Sequence, residues 1–331
     1  MGRRDFFWGD QGAPGLGLAG ALLVALAIFF WAAGALPPEE LPSNTTSASE
    51  TVGMALMLIL IPPYMLAAWC IGQQRSLELV EELRPLVPDS AETDAAREAI
   101  RKPLGARGWF WGSSMGLAFG LVNTSLVRAF TTSTTPVIDG SINFGQLFLW
   151  WIIGLLMVDR ARTARAFRRL GQVIRFDLFK IEALRPLARS GIVDVVIVTG
   201  ALLFSPLQAL DAEFRAENYR FALSIATPAM LFFVLWPLRA IHLRLRAERA
   251  RRIEAVEAQL DGLGSAPASN VEATTALEAL LAHRDRLLDA RTWPLDLRLL
   301  SRIFIYLIIP PMAWAGAALV ERLVNTALEA G

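Results

Sequence analysis

Seven stretches of this sequence are apolar over most of their length and long enough to cross a bilayer. They run over Pro14–Leu36, Thr51–Ile71, Trp109–Val127, Ser141–Val158, Gly191–Leu210, Tyr219–Leu238 and Arg302–Val320. A spanning helix needs about 20 mostly apolar residues, because hydrocarbon offers its backbone no outside hydrogen-bond partner. The first stretch has signal-peptide features: Arg3 and Arg4 precede it, and Ala33-Gly34-Ala35 resembles a cleavage site. Its apolar run exceeds the roughly 7–15 residues of a signal core, so a retained helix is expected.

Polar segments between the stretches carry helical patterns of their own. Ser76–Leu83 reads as helix, with Pro85 and Pro88 as breakers. Asp89-Ser90-Ala91-Glu92 fits a capped start for a helix over about 91–101. Arg239–Leu260 extends the sixth span by about 33 Å at 1.5 Å per residue. A Gly/Ser/Ala/Pro linker, Asp261–Asn270, leads to a further helix over Val271–Arg291. Leu277, Leu280, Leu281, Leu287 and Leu288 share one face of it, and Ile253, Val256 and Leu260 supply a facing stripe. The expected fold is an all-α polytopic bundle of about seven spans with a cytoplasmic helical hairpin. Its parts are a bundle (1–238), the hairpin (239–301), and a last span with an external C-terminus (302–331).

Composition narrows the function classes. The 331 residues are 54% hydrophobic and 19% charged, against roughly 45–50% and 25% in soluble domains. That excludes intrinsic disorder. One cysteine, Cys70, excludes a disulfide scaffold, and a net charge of +1 argues against a nucleic-acid partner. The charge is unevenly placed. With the N-terminus inside, segments 1–13, 72–108, 159–190 and 239–302 hold 2, 6, 9 and 11 basic residues. Only Arg128, Arg215, Arg220 and Arg322 lie outside, so 28 of 32 obey the positive-inside rule. Location in the cytoplasmic (inner) membrane follows, with the C-terminus outside. Phe6, Phe7, Trp8, Trp69, Trp109, Trp111, Trp236 and Trp293 fall near inner ends of spans, where amphipathic rings favour the headgroups. The expected partners are the bilayer and the anionic lipid headgroups facing the Arg-rich cytoplasmic segments. Asp159–Ser190 is strongly basic and is expected to continue the fourth helix, either as an interfacial helix attracted to anionic lipid or as a positive stem that packs on neighbouring helices.

Enzyme signatures are missing: no nucleophile elbow, Walker loop or dinucleotide fingerprint occurs. His242, His283 and Cys70 have no ligand spacing, so no catalytic residue, metal or cofactor is expected. Asp194 is the one acid clearly inside a span. It is either an ion or proton site or an interfacial partner for Arg185, Arg189 or a loop. Asn123, Thr124, Gln146, Thr199, Ser205 and Gln208 are neutral polar residues that either line a pore or cross-link helices. Gly112, Gly116 and Gly120 repeat every four residues and predict a close helix crossing. Pro62, Pro63, Pro206, Pro228, Pro310 and Pro311 predict kinks. Leu60-Ile61-Pro62-Pro63 and Ile308-Ile309-Pro310-Pro311 echo each other in oppositely directed spans, as in inverted-repeat carriers.

Trp236-Pro237-Leu238 with His242, and Trp293-Pro294-Leu295-Asp296 before the last span, resemble segments of multi-pass prokaryotic membrane proteins of uncharacterised function. That resemblance covers under a tenth of the chain and implies no activity and no functional residues. The functional expectation is a homo-oligomeric channel for ions or small solutes. The alternatives are a scaffold, sensor or accessory subunit in a membrane complex, and a small-solute carrier with proline-broken helices.

Overall fold

The computed structural model describes residues 13–36, 48–128, 136–204, 216–264 and 271–290, with single positions beyond them. It is 90% helical and has no strand among the described residues. In chain order the helices are α1 (Ala13–Ala32), α2 (Ala48–Leu83), α3 (Ser90–Arg101) and α4 (Ala106–Arg128). They continue with α5 (Pro136–Val173), α6 (Arg185–Leu202), α7 (Ala216–Gly264) and α8 (Val271–Asp289).

Four helical segments among the described residues are long and apolar enough to cross a membrane: Gly15–Ala32, Thr51–Leu86, Pro136–Val173 and Ser224–Gly262. The other three expected spans differ for identifiable reasons. α4 carries Gly112, Gly116, Gly120, three serines and Asn123, which dilute its apolar character. α6 is 18 residues long and includes Arg185, Arg189 and Asp194. Residues 302–320 lie outside the described residues apart from single positions.

Several helices outrun their apolar stretches. α2 is one helix of 36 residues, so Ser76–Leu83 is its last part and not a separate element. At 1.5 Å per residue it is about 54 Å long, against a hydrocarbon core of about 30 Å. α5 and α7, at 38 and 49 residues, are longer still. Pro62 and Pro63 lie inside α2, and Pro228 and Pro237 inside α7, with helical backbone on both sides. Pro206, Pro310 and Pro311 lie outside the described residues.

Local chemistry explains several helix ends. The Asp89 carboxylate accepts the Ala91 N–H at 2.9 Å, which caps α3. Pro186 stands in the first turn of α6, where its missing N–H costs nothing. Arg244 of α7 donates to the carbonyls of Gly171 and Ile174 at 3.0 and 2.9 Å. A cation there satisfies the orphan acceptors at the end of α5.

Two apolar cores hold the bundle. One gathers Phe30, Met57, Leu58, Met65 and Leu149 of α1, α2 and α5. The other lies toward the Arg-rich end and gathers Leu83, Ile100, Phe167, Leu170, Leu187, Leu238 and Ile241. It continues to Val256 and Leu287, so α8 packs on the extension of α7. The segment expected as a basic stem is therefore part of this core, with Ala164, Ala166, Phe167 and Leu170 buried.

The closest helix contact joins α4 to α5. A Cβ on Gly116 would stand 2.9 Å from the Trp151 Cα, and one on Gly154 2.7 Å from the Gly116 Cα. Gly112 and Gly120 meet Leu155 and Leu147 on the same seam. The crossing is thus within the chain, and only residues without a side chain fit it.

Candidate functional site

A cavity of about 150 Å³ lies between α2, α4, α5, α6 and α7. Met57, Ile61 and Met65 of α2, Leu149, Ile153 and Leu156 of α5, and Ile197 of α6 form its apolar walls. Polar groups stand at its two ends. At one end the Asn123 amide donates to Gln146 Oε1 at 3.0 Å, joining α4 to α5. At the other stand Trp69, Arg160 and Asp194. Gln146 and Arg160 are fourteen residues apart on α5, or roughly 21 Å along its axis.

The Arg-rich end is a closed charge cluster. Arg160 of α5 donates through Nε to the Asp194 carboxylate of α6, and both side chains are at most 6% exposed. Arg160 Nη2 reaches the Ser76 hydroxyl of α2 at 3.1 Å, and Ser76 donates to the Gly72 carbonyl at 2.8 Å. Asp159, 3% exposed, accepts from the Trp69 indole at 2.7 Å and from Arg162. Two guanidinium groups thus face two carboxylates, and three helices are cross-linked. Arg160 Nη1 is buried with no hydrogen-bond partner.

Trp69, Gly72 and Ser76 reach this cluster because residues three and four apart share a helix face. Gly72 lets α6 approach closely: a Cβ there would stand 2.8 Å from the Ile197 Cδ1, which would have to move aside. An isolated buried carboxylate carries a large desolvation cost, which a hydrogen-bonded guanidinium offsets.

The sequence-predicted polar residues separate into three groups. Asn123, Gln146 and Asp194 converge on the cavity. Thr124 is turned back on its own helix, donating to the Gly120 carbonyl at 2.7 Å. Thr199 is buried with its hydroxyl 3.9 Å from the Met230 sulfur of α7. Ser205 and Gln208 lie outside the described residues.

The structure gives the charged groups specific surroundings. Asp194 pairs with Arg160, whereas Arg185 and Arg189 turn to Glu182 and Glu82 at 2.9 and 3.4 Å. Asp159 and Arg160, read from sequence as the first residues of a cytoplasmic segment, are both buried, and Arg160 lines the cavity. One signal pointed to them: the polar stripe Trp69-Gly72-Ser76 continues the apolar face of α2 and needs a polar counterpart on a neighbouring helix.

His242 stacks on Trp293 at 4.1 Å, and its Nδ1 hydrogen-bonds the Thr292 carbonyl at 2.9 Å. His242 and Trp293, one from each of the two segments singled out in the sequence, thus meet in space. No group of three or more His, Cys, Asp or Glu side chains able to hold a metal occurs among the described residues. No protein-family model, curated protein or solved structure matches this chain.

Proposed function

We propose that this protein spans the membrane and lets a small solute pass through the interior of each chain. The observation that carries the reading is the cavity, lined by five helices of one chain with a polar side-chain pair toward each end. A void of this size matches an apolar cavity that holds benzene, so the solute has only a few heavy atoms. The Arg160–Asp194 pair stands toward one end and the Asn123–Gln146 pair toward the other. An apolar cavity with a hydrogen-bonded polar pair toward each end fits gated passage, as in a small-solute channel or carrier. The polar groups face the inside of one bundle, which favours a path through each chain over one on an oligomer axis. Oligomers of such chains then carry parallel paths.

Within this reading the membrane carries seven spans. α4, α6 and residues 302–320 supply three besides the four long apolar helices. The Arg-rich layer is cytoplasmic, the membrane is the inner one, and the C-terminus is external. The distribution of 28 of 32 basic residues supports that orientation. No residue is assigned a catalytic role.

The test is osmotic swelling of proteoliposomes with glycerol, urea and acetamide as probes. At least one enters faster than into protein-free vesicles. Leu156→Trp, which fills the cavity, returns the rate to the vesicle baseline, and Leu121→Trp on the exposed face of α4 leaves it unchanged. Equal rates with and without protein for all three probes overturn the reading.

One observation favours a second reading, a scaffold. Leu277, Leu281 and Leu288 of α8 stay 36–44% exposed on one helix face. A partner bound there is lost when residues 271–291 are deleted.

A further inference from the structure

A second concavity, of about 470 Å³, lies between α4, α5 and α7. Met115, Phe119, Ala161, Pro228 and Phe232 line it, and Ser224 is its one polar residue. Met157 and Phe233 border both this groove and the central cavity, so the groove lies on the opposite side of the α5–α7 seam. From Ser224 to Phe233 it follows α7 for roughly 14 Å.

The groove leads toward an unusual pair of donors. Ala161, Arg165 and Arg168 share one face of α5 at spacings of four and three, and Phe232 and Trp236 are one turn apart on α7. The rings of Phe232 and Trp236 stack at 5.2 Å. The Arg168 guanidinium sits over the Trp236 ring at 4.3 Å. Arg168 Nε and Trp236 Nε1 are both buried, and neither has an acceptor. No carboxylate pairs with Arg168 among the described residues. Leaving a buried donor unmade costs about 1–3 kcal/mol, more when the group is charged. Two such donors side by side, next to an apolar groove where α7 turns basic at Arg239, call for an anionic oxygen attached to an apolar chain.

We infer that this is an anionic-phospholipid site, with an acyl chain in the groove and the phosphate on Arg168 and Trp236. Arg168 supplies charge and a directional N–H to the phosphate, and Trp236 supplies a second N–H while its ring holds the guanidinium in place. Arg165, exposed on the same face, adds positive charge at the headgroup level. The site is independent of the solute path and requires only that the bundle sit in a bilayer.

The experiment uses the full chain, delipidated in detergent, with short-chain phosphatidylglycerol as probe and native mass spectrometry plus thermal shift as readouts. One phosphatidylglycerol binds per chain and raises the melting temperature. Phosphatidylcholine binds more weakly, and inorganic phosphate gives no shift. Arg168→Gln weakens phosphatidylglycerol binding roughly tenfold, since it removes a charge-assisted bond. Trp236→Phe keeps the ring, loses the N–H, and weakens binding about fivefold. Ala161→Trp blocks the groove while both donors remain. Equal binding of phosphatidylcholine, or of inorganic phosphate alone, overturns the assignment. If Arg168→Gln does not fold, the other two variants decide, and unchanged binding in both overturns it.

Discussion

The two halves of the bundle differ at their surfaces far more than in their cores. In the apolar half, Leu18, Val24 and Ile28 of α1 are 57–59% exposed, and Phe110, Leu121 and Phe144 also face outward. Only 17% of Gly15–Ala32 is buried, against 50% of the corresponding stretch of α2, so α1 packs least on the other described helices. In the Arg-rich half the outward positions carry ion pairs: Arg75 with Glu78, Arg97 with Glu81, and Arg252 with Glu248. The interiors are alike: Phe30, Met57 and Leu58 fill one, and Phe167, Leu170 and Leu238 fill the other. The surrounding solvent is therefore read from the outward side chains and not from the core. At the junction of the halves the usual order inverts, because Asp159, Arg160 and Asp194 turn inward.

That inversion gives the largest expected effect. Arg160→Gln or Asp194→Asn alone leaves a buried charge without its partner and costs about 3–5 kcal/mol of stability. Arg160→Met combined with Asp194→Leu recovers most of that loss. Thermal or denaturant unfolding in detergent reads all three. A loss under about 1 kcal/mol for both single variants marks a water-exposed pair and erases the difference between junction and surface.

Next comes the α4–α5 seam, where Gly154→Val forces a side chain into the opposing backbone and costs about 1–3 kcal/mol by the same measurement. Arg244→Ala removes the cap on α5 and costs roughly 1 kcal/mol, seen as faster hydrogen exchange over residues 170–174. Glu81→Gln acts on an exposed pair and shifts stability by about 0–1 kcal/mol. If Glu81→Gln proves as costly as Arg160→Gln, the proposed contrast between the halves fails.

Much of the helical framework was legible along the chain. The cap at Asp89 places α3, and the apolar spacing over 253–260 and 277–288 matches the contact of Val256 with Leu287 in the core. The glycine spacing pointed to a crossing, yet only the structure assigns α5 as the partner and brings in Gly154, which belongs to no repeat. The floor of the cavity was harder to read. A hydropathy run stops at the first charge, so Asp159 and Arg160 end the stretch 141–158 although both are buried. Pairing of Arg160 with a residue 34 positions away is a tertiary fact that local pattern does not encode. The length of α2 was underestimated: it stays helical through residues 72–75, where its apolar stretch ends, because the second core covers its last turns.

The central claim is that a path for a small solute runs inside one chain between Gln146 and Arg160. Cysteine accessibility tests it most directly, on a background in which Cys70 is replaced by alanine. With Leu156→Cys in proteoliposomes, a small membrane-impermeant methanethiosulfonate reagent reacts, and solute entry stops as it does. With Leu121→Cys on the outward face of α4, lipid shields the thiol and entry is unchanged. Protection of both thiols, or continued entry after Leu156→Cys has been fully modified, contradicts the account.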